Sequence, residues 1–169
     1  MSSSLAVGGG YGLARNRSTP SNDSAATVGY SLGVGSSPIA PVVLGGLVRG
    51  TTFVGLGTDL GLAIRGSNGG FARGDWGVAI DAGVVFRPWS GGAYGEWPLQ
   101  AVVTLGAPWG LQLALGGQLS SISGGVPARG FFATLEIDLL RLTVMRQGTT
   151  EIWWPNPAPA GGHEETARF

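Results

Sequence analysis

The chain has no cysteine and no lysine, a single histidine, and few charges of either sign. Each shortage closes off a class of chemistry. Without cysteine there is no disulfide, no thiolate nucleophile and no cysteine-ligated zinc, a composition that suits an exported protein. The one histidine, His163, stands near the chain end beside Glu164 and Glu165, away from any strand rim where a Ser-His-Asp arrangement could form. These three residues read as a solvated tail, so neither a metal site nor a catalytic triad is expected. Ten basic and ten acidic residues are scattered and cancel, which leaves no electrostatic footprint for nucleic acid. Charged residues make up 12% of the chain, against roughly 25% in ordinary soluble domains. Mean hydropathy is positive, +0.23, yet no run of about 18 apolar residues exists, which excludes a transmembrane helix. The stretch from Met1 to Gly10 also lacks the basic and apolar regions of a signal peptide, so export would require this chain to be a mature or truncated form.

What is abundant is glycine, 32 of 169 residues, and apolar residues at every second position. From Trp76 to Arg87, one face carries Trp76, Val78, Ile80, Ala82, Val84 and Phe86, and the other Gly77, Ala79, Asp81, Gly83, Val85 and Arg87. A strand has a side-chain period of two, so this segment presents a greasy wall on one side and a thin, sparsely charged surface on the other. The same split recurs in Val28, Tyr30, Leu32 and Val34, in Leu60, Leu62 and Ile64, and in Trp109, Leu111, Leu113 and Leu115. Eight such segments are marked near 4–15, 26–35, 41–50, 58–66, 75–87, 97–106, 109–120 and 130–145. Gly, Pro, Ser, Asn and Asp clusters bound them, and the even spacing predicts an antiparallel meander.

A soluble barrel would place the large side chains inside and require a charged outer face. Here the second face is Gly, Ala, Ser, Thr and Gln, which would solubilise a whole barrel poorly. Turned inward, small residues let eight strands close around a lumen filled by side chains, with the large residues facing lipid. The pattern over residues 4–145 resembles the small bacterial outer-membrane β-barrels of the OmpA, OmpX and OmpW-like group. That resemblance implies an eight-stranded antiparallel up-and-down transmembrane barrel in the bacterial outer membrane, with periplasmic termini and four longer outer loops. Residues 1–147 are assigned to the barrel and 148–169 to a flexible tail, in which Trp153 and Trp154 lead into a Pro/Gly-rich stretch. Tyr11, Trp76, Phe86, Trp89, Trp97, Trp109 and Phe131 fall at or near segment ends, where interfacial aromatic girdles are expected.

Parity turns Asp59, Arg65, Asp81, Arg87, Glu136 and Asp138 inward, together with Arg49 if Val42, Leu44 and Val48 face lipid. Folding adjacent segments as hairpins sets Arg65 opposite Asp75, makes Arg49 a bridge between Asp59 and Asp81, and leaves Arg87 or Arg141 to serve Glu136 and Asp138. Confined carboxylates repel unless a guanidinium lies between them, so the cluster reads as an electrostatic plug. An ion path or a carboxylate hydrolase would need access that a small closed barrel denies. The expected function is therefore a non-enzymatic outer-membrane barrel with a structural or surface-recognition role. No cofactor is expected, and membrane lipid, lipopolysaccharide included, is the expected partner. A narrow channel, and a soluble barrel binding an apolar ligand, are the alternatives. The sequence does not fix an oligomeric state.

Overall fold

Each alternating segment folds as a strand. The computed structural model describes residues 2–15, 20–37, 40–89, 97–119 and 128–139. In chain order they form β1 (Ser2–Arg15), β2 (Pro20–Gly35), β3 (Val42–Phe53), β4 (Gly57–Asn68), a short helix α1 (Gly69–Arg73), β5 (Gly77–Phe86), β6 (Leu99–Gly106), β7 (Leu111–Leu119) and β8 (Ala128–Asp138). Every strand pairs antiparallel with its chain neighbours, and β8 returns to β1 to close the barrel. The tail assigned to 148–169 lies outside the described residues.

The register fixes the barrel's size. From Gly12 it runs through Gly130, Gln118, Gln100, Gly83, Ala63, Leu47 and Gly33 and comes back to β1 at Ser2, ten residues from its start. Eight strands with that stagger tilt by about 40° and put the backbone about 8 Å from the axis, taking ordinary strand spacings. Inward side chains converge at so small a radius. A Cβ at Gly8 would lie 2.1 Å from the Ala133 carbonyl oxygen, at Gly83 2.0 Å from that of Leu62, and at Gly116 2.0 Å from the Phe132 ring. Glycine on the inner face is thus a steric requirement of the narrow wall.

The burial pattern inverts that of an ordinary soluble domain. Tyr30, Leu32, Leu44, Leu62, Ile64, Ile80, Leu105, Leu115 and Leu135 all face outward and are exposed. Inside lie Thr27, Ser31, Thr51, Ser67, Thr104, Gln112, Gln118 and Thr134 together with seven charged side chains. Among the described residues, Val102, Ala114 and Phe132 form a small buried apolar group.

β3 runs on to Phe53 instead of ending at 50, β8 is a strand to Asp138 within the expected 130–145, with 140–145 outside the described residues, and two further departures bear on the lumen. β2 begins at Pro20 instead of 26, because Ser21–Ala25 pair with Ala14–Gly10 of β1; neighbouring-strand pairing overrides their weak strand preference. The connection between β4 and β5 is longer than a hairpin turn needs because it folds into the barrel end as α1. Asn68 caps this helix, its Oδ1 accepting hydrogen bonds from the Phe71 N–H at 2.9 Å and the Val78 N–H at 3.2 Å. Gly74, at φ 91°, ends it in the left-handed conformation that glycine adopts without strain. Phe71 is thereby driven into the lumen, 3% exposed, against Gly106 and under the Arg65 guanidinium, 5.5 Å from the ring centre. Asn68→Ala should cost about 1–2 kcal/mol, measured as a lowered urea midpoint of the folded protein; an unchanged midpoint would show that α1 is seated by Phe71 alone.

A charged lumen as the candidate functional site

Two groups of charged side chains lie along the lumen. The central one starts from β4 and β5, whose register sets Arg65 directly opposite Asp81. Arg65 Nε donates to Asp81 Oδ1 at 2.6 Å and Nη2 to Oδ2 at 2.7 Å. This is the parallel two-bond fork in which a guanidinium best matches a carboxylate. Arg49, reaching across from β3, places Nη2 3.7 Å from Asp81 Oδ2 and 3.1 Å from Glu136 Oε1 on β8. Thr134 Oγ1 also donates to Glu136 Oε1, at 3.3 Å. Asp138 follows on the same inner face and is fully buried.

The second group fills the lumen toward the end bearing the β3–β4 and β5–β6 connections. Arg87 Nε donates to Asp59 Oδ1 at 2.9 Å, its Nη2 contacts Asp59 Oδ2, and the same Nη2 reaches Gln118 Oε1 at 2.5 Å. The Trp89 indole N–H adds a hydrogen bond to Asp59 Oδ1 at 2.8 Å. Arg87 also stacks 5.0 Å from the Trp89 ring and 5.6 Å from Phe53, so its charge is met by an acid along one edge and by aromatic faces.

Arg49, Asp59, Arg65, Asp81, Arg87, Glu136 and Asp138 are all buried inside the barrel, but their partners differ from those expected. Asp59 is held by Arg87 and not by Arg49, which bridges Asp81 and Glu136 instead. Asp75 is not a lumen residue: α1 and its cap take up the connecting residues, β5 starts at Gly77, and Asp75 is left exposed on the rim. That shift gives Arg65 to Asp81. Arg141 lies outside the described residues.

The aromatics divide in a similar way. Trp76, Phe86, Trp97 and Phe131 face outward and are exposed, Trp76 by 74%, and Phe86 packs on Trp97 with ring centres 4.9 Å apart. Trp89 is a correction to the girdle, because its ring turns inward over Gly57 and Arg87. An indole that must place its N–H gains more from a buried carboxylate than from the rim. The side chains of Tyr11 and Trp109 lie outside the described ones. Phe71 escaped the sequence reading altogether, although Asn68 followed by two glycines and an aromatic is a legible cap and insertion.

One cavity of about 10 Å³ adjoins Arg49, Ser31, Thr51, Thr134 and Glu136, and another of about 20 Å³ adjoins Arg49, Asp81 and Gln100. Each has room for about one water, and Arg49 Nη2 and Glu136 Oε2 make no hydrogen bond to the described residues. Among the described residues, Asp59, Asp81 and Glu136 are buried and each is paired with a guanidinium. Compared with protein-family models, curated proteins and solved structures, the chain has no match, so the lumen and the outer wall themselves carry the functional reading.

Proposed function

We propose that this protein is an integral β-barrel of the bacterial outer membrane with a structural or surface-recognition role and a plugged, non-conducting lumen. The observation that carries this is the inversion of burial, with apolar residues on the outer wall of every strand and Arg, Asp and Glu side chains within. In water such a wall would be a liability, since monomeric soluble proteins rarely expose continuous apolar patches beyond a few hundred Å². In lipid it is the required surface, and a closed barrel is the β form with no unpaired edge.

The outer aromatics support the same reading. Trp76, just before β5, and Phe86, its last residue, are both exposed on the outer side, ten residues apart. At a tilt of about 40° that spacing spans about 25 Å along the barrel axis, the height of an outer-membrane apolar band. The outward placement of the large side chains also weighs against an apolar ligand inside the barrel.

Two measurements test the proposal together. Folded into detergent micelles, the unboiled protein should run faster on a denaturing gel than the boiled one, and it should stay insoluble without detergent. Reconstituted in planar bilayers, it should give no conductance steps. Monomeric solubility in buffer alone would sink the membrane reading, and regular steps would replace the plug with a narrow channel.

A further inference from the structure

We propose that the strap between β4 and β5, residues 69–76, is a releasable stopper that seals one end of the lumen with the Phe71 ring and controls the access of water to Arg65 and Asp81. The stopper rests on the plugged-lumen reading above and not on the membrane. No strand pairing involves it, since the ladders on either side stop at Asn68, opposite Val42, and at Gly77, opposite Gly106. The Gly69 N–H donates to the Pro41 carbonyl oxygen at 2.9 Å, while the Gly74 and Asp75 N–H groups donate back to Gly70 within the strap. It can therefore swing out between Asn68 and Gly77 with every ladder of the barrel intact. The wall is also thinned to seat it. A Cβ at Gly106 would lie 2.8 Å from the Phe71 ring and one at Gly77 2.2 Å from the Phe71 nitrogen, so this pair of facing glycines forms the slot by which the strap enters.

A seal is needed here because the charged groups do not exclude water by themselves. Arg49 Nη2, Thr104 Oγ1, Gln112 Oε1 and Glu136 Oε2 are buried without a hydrogen bond to the described residues, and each gains one from any water that reaches it. Phe71 stands at the mouth of that region. It is 3% exposed, packs on Gly106, two residues from Thr104 on the same face of β6, and lies under the Arg65 guanidinium. Further in, Val85 on β5 and Phe132 on β8 are buried on the inner face between the two charged groups. Release of the ring therefore wets a blind vestibule and opens no channel.

The chain has no cysteine, so a single introduced thiol reports access without background. Thr104→Cys and Thr27→Cys each replace a fully buried hydroxyl that makes no hydrogen bond to the described residues, the first behind Phe71 and the second beside Phe53 toward the other end. In the full folded chain both thiols should react slowly with a water-soluble methanethiosulfonate. Adding Phe71→Ala should speed the Thr104→Cys reaction at least about a hundredfold, as expected on emptying a buried phenyl seat, and leave Thr27→Cys unchanged. Asn68→Ala keeps the ring but loosens the cap, and should speed Thr104→Cys about five- to thirtyfold through more frequent local opening. It also serves as the test if Phe71→Ala loses the gel shift of a folded barrel. Indifference of the Thr104→Cys thiol to either substitution, fast reaction with Phe71 and Asn68 both in place, or an equal rise at both thiols would overturn the stopper. Phe71→Ala should stay silent in planar bilayers, and steps from it would replace the blind vestibule with a channel. Steps from the wild type would instead remove the plugged lumen itself, while the thiol assay runs in buffer and in micelles alike.

Discussion

Asp81→Leu is expected to destabilise the barrel by about 3–5 kcal/mol, because it strands buried guanidiniums. Asp81 is 2% exposed, receives both arms of the Arg65 fork and is also the nearer β5 partner of Arg49. Removing one member of such a group leaves the full desolvation cost of the others uncompensated. Arg65→Leu with Asp81→Leu should recover most of the loss, to within about 1–2 kcal/mol of wild type, because a buried pair removed whole takes its own desolvation cost with it. Urea midpoints of the four proteins in micelles, followed by tryptophan fluorescence, give the coupling directly. A single variant with an unchanged midpoint would mean that the lumen is wet enough to solvate Arg65 without its acid. Arg49→Leu should cost about as much, since Asp81 retains Arg65 but Glu136, 1% exposed, loses its cation.

Gly8→Val should prevent the barrel from closing, at a cost above about 3 kcal/mol. Gly8 sits on the inner face of β1 opposite Thr134 of β8. Its added Cβ would meet the Ala133 carbonyl oxygen at 2.1 Å and the Thr134 Cα at 2.6 Å. Both contacts are with backbone, so no rotamer change relieves them, and the first and last strands would have to separate. The gel shift between unboiled and boiled protein reports closure. Gly9→Val is the matched control: one residue along, its side chain enters open space on the outer wall and should leave the shift intact. A folded Gly8→Val barrel would show that the β1–β8 seam is wider than its register implies.

Period two was the part of the fold most legible in the sequence, because it depends only on neighbouring residues. It correctly divided Val84 from Val85 and Leu62 from Ala63, and it turned Asp81 and Arg87 inward. Partner choice was harder, since it depends on how many residues each connection consumes. Treating 67–74 as a plain link set Arg65 against Asp75. Once Asn68 and Gly74 are recognised as the two caps of a helix, the strands slide and Asp81 becomes the partner. Trp89 was misplaced for a related reason: proximity to a strand end says nothing about which way an indole turns when a buried acid lies within reach. The contact between Arg49 and Glu136 joins β3 to β8 through the lumen, a relation that no local pattern encodes.

The order of strands around the barrel also sets the order of events in folding. Seven of the eight strand pairings join chain neighbours, and the remaining one brings Ser4 to Asp138. Hairpins bear small loop-closure penalties and form early, whereas the last pairing must bring together almost the whole chain before any contact rewards it. Until that pairing forms, the inner face of the curved sheet stays open to water, and Arg49, Arg65, Asp81 and Glu136 remain hydrated. Their dehydration therefore coincides with closure, which concentrates the electrostatic cost of the lumen in a single late barrier. Substitutions in the charged network should accordingly act mainly on the rate of this final step and leave the earlier growth of hairpins almost untouched.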